Sequence, residues 1–171
     1  LDILDGGQWQ WGDFSDYYDN IATINQYGTF RLVDDISDHY ENGPAVVDPI
    51  SHNIQWGVTF NNHGAMLHEG VGSFMLGANA CKYNNYGTHD FVGDGDITTI
   101  GHGSERTTNY GLLLKSGGTG ESFVNGELVN AGTVEVCSGT LSISHSLDYD
   151  GWWSYELKAG KWVVRDGASL V

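Results

Sequence analysis

The sequence predicts an all-β protein, a β-solenoid with loop excursions, and three observations lead there. The 171 residues include 25 glycines and only 2 prolines, so tight corners are available at many points while strands keep their backbone donors. No window of eleven or more residues holds an apolar i, i+3, i+4, i+7 pattern free of glycine, which removes the amphipathic helix. Short alternating runs bounded by Gly, Asn or Asp recur along the chain, as brief strands with one inward face require. A β-sandwich or jelly roll with one repetitive edge is the alternative architecture. Length and 40% hydrophobic content suit a single domain over residues 1–171.

In chain order, Thr29–Val33 and Ile54–Phe60 are the first expected strands, separated by a loop at Glu41–Pro49 that Pro44 and Pro49 bracket. Asn42-Gly43 and Asn125-Gly126 suit hairpin turns. Residues 1–60 and 79–111 break the repeat, with Tyr, Asn and Gly where a regular coil would place aliphatics. Thr133–Cys137, Thr140–Ser144 and Lys161–Val164 are the later strands.

The most regular stretch is Phe123–Ile143, where Gly126-Glu-Leu128, Gly132-Thr-Val134-Glu-Val136 and Gly139-Thr-Leu141-Ser-Ile143 repeat a glycine-x-apolar phrase. Ala159-Gly160-Lys-Trp162-Val-Val164 returns to it, and Gly28-Thr-Phe30-Arg-Leu32 and Gly64-Ala-Met66 are fainter versions. Each phrase reads as a short strand, with glycine supplying positive φ at the corner. Such strands stack coil on coil, about 4.8 Å apart. Asn130-Ala-Gly-Thr-Val-Glu-Val-Cys-Ser-Gly-Thr-Leu-Ser-Ile143 resembles the phrases of right-handed β-helices in bacterial autotransporter passengers and adhesins, chiefly over residues 120–171. The resemblance implies a secreted or surface-displayed solenoid and identifies no catalytic residue.

Charge excludes some partners. Seven Lys+Arg against 22 Asp+Glu leave a net charge of -15, concentrated in residues 1–50, where ten acids face the single base Arg31. Without a cationic surface, neither steering toward nucleic acid nor counterion release operates. No run of 18 uncharged apolar residues exists, so membrane insertion is not expected. The chain opens at Leu1 rather than Met, which suggests processing or excision. Low Lys with abundant Asp, Asn, Gly, Trp and Tyr suits an extracellular or cell-surface protein, and no Asn-x-Ser/Thr sequon occurs.

Candidate chemistry is sparse. Cys81 and Cys137 invite a disulfide in an oxidising compartment. At roughly 18–20 residues per coil they would lie about three rungs, or ~14 Å, apart, beyond the ~7 Å bridging limit unless residues 79–111 form an excursion. Two free thiols are the other reading. His63 and His68 would face opposite sides of one strand unless a turn intervenes, and His39, His52, His89, His102 and His145 are scattered. Calcium is the better metal candidate, from Asp13, Asp16, Asp19, Asp34, Asp35, Asp38, Asp94 and Asp96, although no loop signature is complete and solvated acidic loops explain the same residues. Trp9, Trp11, Trp152, Trp153 and Tyr155 are aromatic surface candidates, able to stack on sugar rings or to form a subunit contact.

These residues favour a structural or interaction protein over an enzyme, because no triad or nucleophile elbow appears. A polysaccharide lyase or hydrolase acting through Asp94 and Asp96 is the enzymatic alternative. The apolar ends, Leu1, Ile3 and Leu4 against Val163, Leu170 and Val171, suggest head-to-tail self-association into a surface fibre or sheath, or an adhesin. The competing reading is a carbohydrate-binding module whose partner is a polysaccharide.

Overall fold

The computed structural model describes residues 2–3, 23–32, 35–37, 46–48, 52–54, 57–77, 80–99, 105–144 and 160–171. Strands β1 (Asp2–Ile3), β2 (Thr23–Gln26) and β3 (Thr29–Leu32) come first. A short pair follows, β4 (Asp35–Ser37) and β5 (Val46–Asp48), and β6 (His52–Ile54) closes the first coil. Four-residue strands then recur in threes: β7 (Thr59–Asn62), β8 (Ala65–His68) and β9 (Ser73–Leu76); β10 (Lys82–Asn85), β11 (Thr88–Phe91) and β12 (Asp96–Thr99). Next are β13 (Arg106–Asn109), β14 (Leu112–Lys115) and β15 (Glu121–Asn125), then β16 (Glu127–Asn130), β17 (Thr133–Val136) and β18 (Thr140–Ser144). The last strands are β19 (Lys161–Val164) and β20 (Ser169–Leu170).

Apart from the antiparallel pair β4 and β5, each strand pairs in parallel with its counterpart in the neighbouring coil. Three six-stranded sheets result: β1-β2-β7-β10-β13-β16, β3-β8-β11-β14-β17-β19 and β6-β9-β12-β15-β18-β20, here called sheets 1, 2 and 3. The protein is therefore a β-solenoid. Its repeat is 23, 24 and 21 residues between the aligned Asn62, Asn85, Asn109 and Asn130, longer than the expected 18–20.

The interior shows why these strands form. Within β7, β8, β9 and β11 alternate residues are buried, and in-register stacking joins them into rows. Ile24, Phe60 and Tyr83 form one, and Met66, His89, Leu113 and Val134 another; all are buried. Phe60, Phe74 and Tyr83 meet edge-on or tilted, with centroids 5.2–6.0 Å apart, the geometry aromatic quadrupoles favour.

The glycines act differently from the sequence expectation. Gly126 and Gly139 do adopt positive φ, 112° and 58°. At the corner between sheets 1 and 2, however, Gly64, Gly87, Gly111 and Gly132 do not; there a Cβ would lie 2.0–2.2 Å from the carbonyl oxygen of the aligned glycine one coil back. Close coil-to-coil approach selects glycine there.

Several other expectations need correction. Ile54–Phe60 is not one strand: β6 ends at Ile54, a turn passes through Gly57, and β7 begins at Thr59. Residues 80–99 and 105–111 continue the repeat, because Tyr83, Asn85 and His89 are buried where aliphatics were expected. Asn125-Gly126 turns no hairpin; it passes the chain from sheet 3 to sheet 1. Asn42-Gly43 lies outside the described residues; β4 and β5 pair antiparallel with Ser37 opposite Val46, so part of the expected Glu41–Pro49 loop is strand.

Candidate functional site

The strongest local repeat is the corner leaving sheet 1. Gln26-Tyr27-Gly28, Asn62-His63-Gly64, Asn85-Tyr86-Gly87, Asn109-Tyr110-Gly111 and Asn130-Ala131-Gly132 occupy it in successive coils. Alternation turns the amide inward and the next side chain outward, and glycine lets the coils close.

Inside, the amides form a ladder. Asn62 Nδ2 donates to Asn85 Oδ1 at 2.7 Å, Asn85 to Asn109 at 2.8 Å and Asn109 to Asn130 at 2.8 Å. The same nitrogens reach the carbonyls of Thr88, Leu112 and Thr133, each at 2.9 Å, the first residues of β11, β14 and β17. Gln26, one methylene longer, instead donates to Gly28 O in its own corner.

Outside, Tyr27, His63, Tyr86 and Tyr110 stack face to face. Successive centroids are 4.8–4.9 Å apart and planes lie within 11° of parallel, so ring spacing follows coil spacing. Tyr27, Tyr86 and Tyr110 stay 49%, 46% and 50% exposed. The rings occupy each other's faces and direct their edges to solvent. Among the described residues, the three phenol hydroxyls have no hydrogen-bond partner within the protein. A second, half-buried amide row runs beside them: Asn84 Nδ2 donates to Asn61 Oδ1 at 2.9 Å, and Asn61 Nδ2 to Asn25 Oδ1 at 2.8 Å. The row ends there, because the next residue, Thr108, is buried.

No family model, curated protein or solved structure matches this chain.

Beside the amide row, Lys82 and Arg106 are exposed Cα partners on adjacent strands. Arg31 pairs with Glu69 at 2.6 Å and Arg165 with Glu135 at 2.5 Å, whereas Lys82 and Arg106 enter no ion pair among the described residues. The outward positions of β2, β7, β10 and β13, with the corner after each, carry these two cations and no carboxylate. In a chain of net charge -15, such a strip is distinctive.

Polar groups also enter the core. His89 Nδ1 meets Tyr83 Oη at 2.9 Å, and the hydroxyl also lies 3.8 Å from Met66 Sδ. Burial, reinforced by neighbouring His68, holds His89 well below the usual imidazole range. Burial likewise pushes the Tyr83 phenol up. Lys115, fully buried, donates to Asp94 Oδ1 at 2.9 Å, Gly93 O at 3.1 Å and Ser122 Oγ at 3.1 Å, so each ammonium hydrogen has an acceptor.

The residues singled out from sequence distribute as follows. Trp9, Trp11, Trp152, Trp153, Tyr155, Asp13, Asp16, Asp19, Leu1 and Leu4 lie outside the described residues, as do Asp34, Asp38, His39, His102 and His145. Ile3 falls in β1 and Asp35 in β4. Asp94 accepts from Lys115 and from Gly120 N at 3.1 Å, and Asp96 from Phe123 N at 2.7 Å; both thus join one coil to the next. Burial raises the Asp96 carboxyl despite that bond. Among the described residues, no three His, Cys, Asp or Glu side chains gather as a metal site. Cys81 and Cys137 are free thiols, one buried and one exposed. A turn does separate His63 from His68, placing the first in the outer stack and the second inside. Val163 and Leu170 are half-buried and Val171 is exposed.

Sequence reasoning missed Tyr27, Tyr86 and Tyr110, and weighed His63 only beside His68 as a metal ligand. Their signal was an aromatic ring between Asn or Gln and Gly, hidden by coil lengths that vary and by attention to apolar residues after the glycine.

Proposed function

We propose that this protein is an extracellular structural and interaction subunit, a solenoid that stacks head to tail on copies of itself in a surface fibre or sheath. That is the role implied by its likeness to the solenoids of autotransporter passengers and adhesins. The supporting observation is the partial exposure of core-aligned residues in the last described coil. Trp162 aligns with fully buried Val134 and Leu170 with fully buried Leu141, yet these two residues of the last described coil are only partly buried. Covering that apolar area stabilises stacking by about 25 cal/mol per Å² before association costs are subtracted. Electron microscopy and sedimentation over a concentration series test the reading. Rods longer than one subunit, shortened by Val171→Glu, are expected; monomers alone at high concentration refute it.

The exposed ring and amide rows favour a second reading, binding of a polysaccharide along the solenoid side. Ring edges, phenol hydroxyls and amides offer apolar contact and hydrogen bonds at a regular spacing, as a polymer of hydroxyl-bearing units requires. Retention in a glycan-containing native gel, lost in Tyr86→Ala, is the expected result.

A further inference from the structure

Three features of the sheet 1 side have no use in folding. The Tyr27, Tyr86 and Tyr110 hydroxyls have no protein partner among the described residues. Asn61 and Asn84 each donate one amide hydrogen within their row, leaving a second on each nitrogen. Lys82 and Arg106 stand side by side on adjacent strands, and neither forms an ion pair with a described acid. Like charges on facing strand positions are destabilising, and the first carboxylate of their row is Glu127, one coil beyond Arg106.

We propose that this strip, bounded by the Tyr27–Tyr110 stack and the Lys82–Arg106 pair, binds an acidic polysaccharide, a uronate-bearing glycan lying along the solenoid axis. The inference rests on the polysaccharide reading above and adds the chemical class of the glycan. Uronate carboxylates meet Lys82 and Arg106, relieving their repulsion. Glycan hydroxyls meet the amides of Asn61 and Asn84 and the phenols. The tyrosine faces are occupied by neighbouring rings, so sugars contact ring edges, and hydrogen bonding and charge outweigh face stacking. Net charge does not prevent this contact. At physiological ionic strength charges are screened over about 8 Å, so a bound carboxylate responds chiefly to the nearest groups, the cations Lys82 and Arg106, with Glu127 only at the far side of Arg106. Nucleic acid differs, since its affinity depends on neutralising many phosphates.

The test is affinity electrophoresis and titration calorimetry of the full chain with polygalacturonate and with an uncharged β-glucan. Polygalacturonate is expected to bind at 50 mM NaCl and weaken at least tenfold at 500 mM. Lys82→Ala/Arg106→Ala should reduce affinity at least tenfold, Lys82→Glu/Arg106→Glu should abolish it, and Tyr86→Ala should weaken it severalfold. All these side chains are exposed, and unchanged circular dichroism establishes folding. The uncharged glucan binding as tightly, with loss only in Tyr86→Ala, overturns the acidic assignment while leaving the polysaccharide reading intact. Polygalacturonate binding untouched by these substitutions overturns the site. No glycan binding, with or without dimers that Tyr86→Ala dissolves, overturns both.

Discussion

Replacing Asn85 by alanine removes the centre of the buried amide ladder. Three hydrogen bonds disappear: from Asn62 Nδ2 at 2.7 Å, to Asn109 Oδ1 at 2.8 Å and to Leu112 O at 2.9 Å. At roughly 1 kcal/mol net per bond, with a further penalty for buried acceptors left without donors, the cost is about 3–5 kcal/mol. For a chain of this size that lowers the melting midpoint by roughly 6–20 °C. Because each coil contacts only its neighbours, the damage falls between the Asn62 and Asn109 coils and should broaden or split the transition. The control is Asn84→Ala on the outer row, which removes one half-buried bond and costs about 0.5–1 kcal/mol. Thermal and urea unfolding followed by circular dichroism decide the matter. Equal losses for the two variants, or an Asn85→Ala midpoint within 2 °C of the parent, would refute the claim that the inner amides hold the corner.

Gly111→Ala should be among the most destabilising single-methyl changes, since its Cβ would sit 2.1 Å from Gly87 O, a backbone atom; low soluble yield or a strongly lowered midpoint checks this. Asp94→Ala leaves the buried Lys115 ammonium without its carboxylate and should cost about 3–5 kcal/mol, while Lys115→Met/Asp94→Ala recovers much of that in the same unfolding assay. His89 gives an acid dependence. Its folded-state pKa is depressed by burial, so below about pH 6.5 the unfolded chain binds a proton that the native imidazole refuses, and stability falls by up to about 1.4 kcal/mol per pH unit. Urea midpoints of the parent should therefore drop between pH 6.5 and 5 more steeply than those of His89→Gln; parallel slopes would contradict the assignment. Cys137 should react with a thiol reagent in the native state and Cys81 only on unfolding, because Cys81 is buried and its thiol is raised by that burial.

What could be read in the sequence was the part that depends on strand chemistry alone. Thr140–Ser144 and Lys161–Val164 match β18 and β19 at both ends, since apolar alternation between glycines leaves a strand few other options. Residues 80–99 and 105–111 were misread because a solenoid core accepts side chains that composition assigns to the surface. Asn85 and Asn109 are buried only because each meets its own kind one coil away, and His89 only because Tyr83 supplies its partner. Such satisfaction is a property of stacked coils and is invisible in a single strand. The outer tyrosines were missed for the complementary reason, since Trp9, Trp11, Trp152 and Trp153 are larger and lie in close pairs along the chain. A ring becomes part of a surface when coil spacing aligns it with others, and neither ring size nor adjacency along the chain measures that.

The Asn-Tyr-Gly corner separates two tasks within three residues. The amide ties its coil to the next through a neighbouring amide and a strand carbonyl, and the glycine admits the next coil at backbone distance. Neither can change without cost to the fold. The ring between them is bound only through its faces. Its stacking contributes about 0.5–1.5 kcal/mol per pair, and its edge and hydroxyl are left to solvent. Evolution can therefore vary the middle residue while the coil survives, as His63 and Ala131 already show in the same solenoid. A row of tyrosines in positions that also tolerate alanine is not required by the corner. That tolerance, joined to the two cations that enter no ion pair among the described residues, is the physical reason to propose recognition for the sheet 1 side and stability for the residues behind it.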